Sequence, residues 1–319
     1  MDDLLVNIPE NPVPANTIAG MLDVGEGLRL RYARTAPLEG STKGTIVILP
    51  GRNEFIEKYF ETIADFTRRG YGTAILDWRG QGGSTRLLKN PDRGYVEDFR
   101  DYADDLDVFF QDVVLPDCRG PYHIVAHSMG ALIALRAAHG LVNRVRRMVL
   151  CAPLLGIYAS PATTRWVRRF AVTLHALGLG RLYMPGRRRS QKAPPFSDNA
   201  LSTDEKRFER NRATVLDSPG LSINGPTIAW TRAMFKAIEE VEEPAFMAQI
   251  HIPTLFLAAG YERVVSTRAI ERYVRRLRSA SMLTIDGGRH ELLQEKDFYR
   301  EQALAAISAF FDGDGSQHF

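Results

Sequence analysis

Apolar positions along the chain alternate between two patterns. Short unbroken β-rich runs, such as TIVILP (45–50), YGTAILD (71–77), YHIVAHS (122–128), RMVLCAP (147–153), TLFLAAG (254–260) and SMLTIDG (281–287), read as strands. Between them lie stretches with apolar residues at helical spacing: 55–70 closing on Gly70, 96–114, 129–140 closing on Gly140, 267–278 and 296–311. In 96–114 the residues Phe99, Tyr102, Ala103, Leu106 and Phe110 share one face. Strands with little polar alternation, each followed by a helix, predict an α/β fold: a mostly parallel sheet covered on both faces. Upstream, Thr17–Asp23 and Leu28–Arg34 flank VGEG, a hairpin signal.

The rhythm breaks between about Leu155 and Pro244, which has helical patterning and no clear β-run. The expected organisation is an extended arm (1–16), a core (17–154 and 245–311) and a helical cap inserted at 155–244. A flexible tail (312–319) is expected to follow. Ligands bind such sheets at the strand-end loops, so the cap is expected to cover the site.

Bulk composition excludes more than it selects. Apolar residues make up 45% and charged residues 25%, ordinary for a globular protein. A balance of 41 basic against 38 acidic residues gives no sign of a nucleic-acid partner. Cys118 and Cys151 have no zinc-type spacing, and both are expected as reduced thiols, so no metal and no cofactor is implied. The start, MDDLLVNIPENP, lacks the pattern of a secretory signal, and no apolar run reaches the ~18 residues of a membrane span. The expected location is the cytoplasm.

Candidate chemistry centres on IVAHSMGALIAL, where Ser128 falls between a strand and a helix. In a nucleophile elbow that turn is strained, and small neighbours let strand and helix approach. Gly130 fits, while Ala126 stands where a glycine is usual. Taken alone, Ser128 reads equally well as a helix cap. A serine nucleophile needs a base, and the base needs an acid to orient it. His290, in the loop IDGGRHELL after the last strand, is the expected base; the other histidines lie in strands, helix ends, the cap or the tail. Glu262, in YERVVS after TLFLAAG, is the expected acid, with Asp286 as rival. The backbone N–H groups of Met129 and Arg52 are the expected oxyanion donors, with Asn53 as the alternative to Arg52; one donor is commonly worth ~3 kcal/mol. The glycine-rich DWRGQGGS lacks nucleotide-binding spacing, and Asp77 reads as a partner for the Arg79–Gly80 turn.

Together PGRNEF, LDWRGQGGS, AHSMGA, CAPLLGI and GGRHELLQEKD resemble the α/β-hydrolase superfamily, from about Thr45 to Phe311. The branch they are most similar to is the bacterial lysophospholipase and monoacylglycerol lipase group, also described as serine aminopeptidase-like. The resemblance implies Ser128 as nucleophile, His290 as base and an acid after the penultimate strand. Many members carry aspartate there in a DRVV-like run, where this chain has ERVV. Many also have His-Gly in the oxyanion loop, where this chain has Pro50-Gly51.

Between Ile157 and Ser197 there are eight basic residues and no acidic one, including Arg187, Arg188 and Arg189. Trp166, Phe170, Leu174 and Leu177 are interleaved with them. Such a cap fits an anionic membrane surface or a phosphate head group, and equally a helix whose apolar stripe packs on the core. The expected function is ester hydrolysis of single-chain acyl lipids through an acyl-enzyme, a lysophospholipase. Alternatives are a monoacylglycerol lipase or carboxylesterase, a peptidase or amidase on the same scaffold, and a silent binding protein.

Overall fold

The computed structural model describes residues 4–38, 42–185 and 195–313. Eight strands form one sheet: β1 (Thr17–Asp23), β2 (Arg29–Thr35), β3 (Thr45–Leu49), β4 (Gly72–Leu76), β5 (Tyr122–His127), β6 (Val145–Cys151), β7 (Thr254–Ala259) and β8 (Ala280–Ile285). Their order is β1-β2-β4-β3-β5-β6-β7-β8. The predicted hairpin β1–β2 is antiparallel, β2 pairs antiparallel with β4, and every later pairing is parallel.

The helices are α1 (Phe60–Arg68), α2 (Arg100–Phe109), α3 (Leu115–Asp117), α4 (Met129–Leu141), α5 (Pro161–Ala176), α6 (Glu205–Asp217), α7 (Ile228–Glu242), α8 (Pro244–Met247), α9 (Thr267–Val274) and α10 (Asp297–Asp312). Residues 56–59 precede α1 as a 3-10 turn, and 110–114 continue α2 as a π-helical turn.

The unbroken apolar runs have a simple cause: the central strands are buried on both faces. In β3, Val47 and Leu49 enter the cluster shared with α2, α4 and α7, while Ile46 and Ile48 enter the cluster shared with α1 and α10. The edge strands differ. In β8 only Ile285 is fully buried, so the near-continuous apolar reading fails there. Two boundaries also move. The helix expected to stop at Gly140 runs through Leu141, and α10 includes Asp312, placed in the tail from sequence. Both cysteines are free thiols, Cys151 buried at the end of β6.

The N-terminal arm is tied down by a buried charge cluster. Arg31 donates to Glu57 and Asp77, and to the carbonyl of Leu4. Val6 N–H donates to Glu57 at 2.9 Å. Asp77 also accepts from the N–H groups of Ile56 and Gly83. This corrects the sequence reading of Asp77: Arg79 pairs instead with Asp105 on α2, and Asp77 holds Arg31 and the loop 82–84.

Candidate active site

Three parallel strands end at the same edge of the sheet, and the loops that follow β5, β7 and β8 deliver the site. Ser128 directly follows β5 with φ 49° and ψ −110°, a left-handed backbone that an L-residue adopts under strain. The surroundings fix it there. Its N–H donates to Cys151 O, and its carbonyl accepts from Ala131, Leu132 and Leu154 N–H. Gly130 is required by proximity, since a Cβ would collide with the carbonyl oxygens of Leu49 and Pro50. Ala126 is fully buried within β5, its methyl accommodated in the main core cluster. The helix-cap alternative gains no support, because the Ser128 side chain makes no cap hydrogen bond.

His290, in the loop after β8, has its Nε2 3.1 Å from Ser128 Oγ. Its Nδ1 lies 2.8 Å from Glu262 Oε2. With the proton on Nδ1, His290 donates to the carboxylate and leaves Nε2 to accept from the serine hydroxyl. All three residues are buried. Glu262 Oε1 accepts from Val264 N–H at 2.7 Å and Val265 N–H at 3.2 Å. Burial pushes the Glu262 carboxyl up, but the hydrogen bond and charge of His290 and these two N–H groups together hold it below its ordinary range. The rival Asp286 is exposed. Three other histidines are engaged elsewhere: His123 stacks on Phe311, His139 reaches Phe246 O, and His175 meets Glu97.

Met129 opens α4, so its N–H has no carbonyl of a preceding helical turn to reach. On the opposite loop, Gly51 N–H is committed to Glu54 Oε2, and Asn53 N–H donates to Gln81 Oε1 at 2.6 Å. The alternative donor Asn53 is therefore spoken for, and Arg52 lies between two anchored peptides. Gln81 also approaches Met129 Sδ at 3.7 Å, so the RGQGGS loop braces both sides of the site.

A second polar layer lies directly behind. His127 Nδ1 is 3.0 Å from Glu54, and its Nε2 is 3.2 Å from the His290 carbonyl. Both partners are acceptors, so the ring carries both protons. Lys58 bridges Glu54 (2.9 Å) and Glu291 (2.6 Å), and Tyr59 O–H donates to Glu54 at 2.6 Å. Burial disfavours charge here, yet Glu54 raises the His127 pKa, and His127 and Lys58 hold the Glu54 carboxyl well below its usual range. The sequence alone marks His127 only as a strand histidine and points to no such layer. The visible signal was Glu54 and Lys58 at i,i+4 spacing; their pairing with Glu291 depends on the fold.

The Hydrolase_4 family model, described as serine aminopeptidase, S33, matches residues 40–297. The chain belongs to this family. Lysophospholipase L2 of Escherichia coli is 36% identical over 291 residues, covering 85% of this chain and 81% of that protein. A probable lysophospholipase L2 of Haemophilus influenzae is 28% identical over 286 residues, with 89% of each chain covered. Among solved structures, a soluble variant of monoglyceride lipase from Saccharomyces cerevisiae superposes with a TM-score of 0.74 at 16% identity, covering 94% of this chain and 97% of that one. A carboxyl esterase from Bacillus coagulans gives 0.75 at 19% identity, covering 94% and 99%. At these identities the structural likeness shows the fold: the chain has the α/β-hydrolase fold its motifs resemble.

Between β6 and β7, α5 is largely exposed, with Ala171 its one buried residue. Its expected apolar stripe splits. Phe170 and Leu174 pack with Val167 against Ala171, Met184 and Ile228, but Trp166 and Leu177 are more than half exposed. The helix rests on α7 through Val167, Ala171 and Leu174, and that register turns Trp166 outward. Arg168 pairs with Glu239. Arg187, Arg188 and Arg189 lie outside the described residues.

Proposed function

We propose that this protein is a serine carboxylic-ester hydrolase acting on single-chain acyl lipids, a lysophospholipase. The observation that carries the reading is the relay Ser128 Oγ–His290 Nε2–Glu262, at 3.1 and 2.8 Å, on a strained turn. His290 takes the Ser128 proton as Oγ attacks the ester carbonyl, and Glu262 stabilises the imidazolium. The tetrahedral oxyanion is received by the N–H groups of Met129 and Arg52. Collapse expels the alcohol, which takes the proton from His290. Water then attacks the acyl-enzyme with His290 again as base, releasing the fatty acid.

The relatives named lysophospholipase favour a lysophospholipid over other esters. In this reading residues 155–244 act as a cap. Its outer surface, with exposed Tyr158, Trp166, Val172, Leu177 and Leu182 beside Arg165 and Arg169, favours peripheral contact with an anionic lipid surface. Arg187, Arg188 and Arg189 are proposed to meet the phosphate head group. Among the described residues no helix is long and apolar enough to cross a membrane.

The test is a substrate panel of lysophosphatidylcholine, monoacylglycerol, a soluble short-chain ester and an aminoacyl amide, with Ser128→Ala as the background. Lysophospholipid turnover at the highest kcat/KM is expected. Preference for the amide would replace the ester reading, and activity that survives Ser128→Ala would remove the mechanism. Replacing the three arginines with Gln is expected to weaken activity on micelles while sparing the soluble ester; equal loss on both would remove their head-group role.

A further inference from the structure

The loop Pro50–Glu54 stands between the site and the cap, and its groups have different holders. Gly51 N–H is held by Glu54, which is gripped in turn by Lys58, Tyr59 and His127. Asn53, at φ 61°, donates its N–H to Gln81. Two side chains then leave the loop for the cap. Asn53 Oδ1 accepts from Ile223 N–H at 2.7 Å and from Ser222 Oγ at 3.1 Å. The Arg52 guanidinium donates to the carbonyl of Asn224 and lies 5.3 Å from the Trp230 ring on α7. It passes over Gly94, where a Cβ would collide with it.

We propose that Asn53 and the Arg52 side chain are positioning residues that make the cap segment Ser222–Asn224 a working part of the oxyanion hole. This rests on the reading above, in which Arg52 N–H is the second oxyanion donor. The peptide presenting that N–H is pinned at one end by the Gly51–Glu54 bond. At the other end Gln81 holds the Asn53 N–H, and the Asn53 and Arg52 side chains add the pins that run to the cap. Asn53 holds a left-handed backbone, which relaxes when its side-chain partners leave. Oxyanion stabilisation depends steeply on donor placement. A seated cap therefore completes the hole, and a lifted cap disperses it. The hydrogen bonds among Ser128, His290 and Glu262 do not run through residues 222–224, so the serine relay persists when the hole is lost.

Three variants separate the contacts. Asn53→Gly suits the positive φ and removes both bonds to the cap. Arg52→Met retains the backbone N–H and the aliphatic stem. Ser222→Ala removes only the longer bond. The readouts are kcat and KM on a soluble short-chain ester, and the inhibition constant of a trifluoromethyl ketone, whose serine adduct carries the oxyanion. We expect kcat to fall by about 30-fold, 10-fold and 3-fold in that order, with KM within about twofold. Ketone affinity should weaken in step with kcat, and the melting midpoint should stay within a few degrees. A general loss of structure would move the midpoint and KM without that parallel. If Asn53→Gly does not fold, the other two variants carry the same comparison. Unchanged kcat and ketone affinity in the folded variants would overturn the proposal. A ketone that does not bind the wild-type protein would overturn the oxyanion reading itself.

Discussion

Helices α4 and α5 are of similar length and have opposite environments. Of the 13 residues in α4, nine are buried; of the 16 in α5, only Ala171 is. The first is clamped between sheet and neighbouring helices and begins at the strained Ser128. The second lies on α7 by a narrow stripe and turns Trp166 to solvent. A strained turn of about 1–3 kcal/mol persists only where surrounding packing over-determines it. The contrast teaches that the proposed reacting groups are built on the tightly packed side, while the α5 side is left exposed.

The sharpest way to break the rigid half of this contrast is at the relay. Glu262→Gln leaves shape intact but removes the charge that orients and stabilises His290⁺, and kcat is expected to fall by about 10,000-fold. Steady-state kinetics on the soluble ester measures it; a loss under tenfold would mean Glu262 is not the acid. Next comes Gly130→Ala, whose methyl would press on the Leu49 and Pro50 carbonyls. We expect about 3 kcal/mol of destabilisation by chemical unfolding, with activity lost alongside.

His127→Gln probes the layer behind the relay and is expected to cost about 3 kcal/mol near neutral pH, as one partner of a buried pair is removed. The sign of its pH dependence follows from two shifts. The His127 pKa is raised above the ordinary 6.5, so its contribution is full below that value and fades as pH climbs through the raised one. The Glu54 pKa is depressed below 4.5, so its contribution is full above that value and fades as pH falls through the lowered one. Unfolding free energies of wild type and variant should therefore differ most between those limits and converge on the alkaline side. A gap that widens as pH rises above 6.5 would contradict the ion pair.

The smallest structural effect belongs to the loose side. Trp166→Asp with Leu177→Asp is expected to change stability by no more than about 0.5 kcal/mol. Activity on anionic lysophospholipid micelles should fall by about tenfold through lost interfacial burial, with the soluble ester unaffected. Equal losses on both substrates would show that α5 supports the site rather than meeting lipid.

The same contrast explains what was legible in the sequence. The meeting of Ser128, His290 and Glu262 was legible because each follows a strand with an unmistakable apolar run, and a parallel sheet brings such ends to one edge. Strand β8 was placed well although exposed, because its flanking turns are strong. The cap resisted reading because helical spacing alone does not tell which face rests on a neighbour: Phe170 packs on the buried stripe, whereas Trp166, stacked on Phe170 from four residues earlier, stays more than half exposed. The buried charges resisted it further. Arg31 meeting Glu57 and Asp77, or Lys58 meeting Glu291, joins residues far apart in the chain, and no local pattern marks them.

The most direct test of the central claim, that Ser128 is a nucleophile activated by His290, is covalent labelling with a fluorophosphonate followed by peptide mapping. The account requires a single adduct, on Ser128, whose formation slows by orders of magnitude in a folded His290→Ala variant. A folded wild-type protein that takes no label, or takes it on another residue, would contradict it.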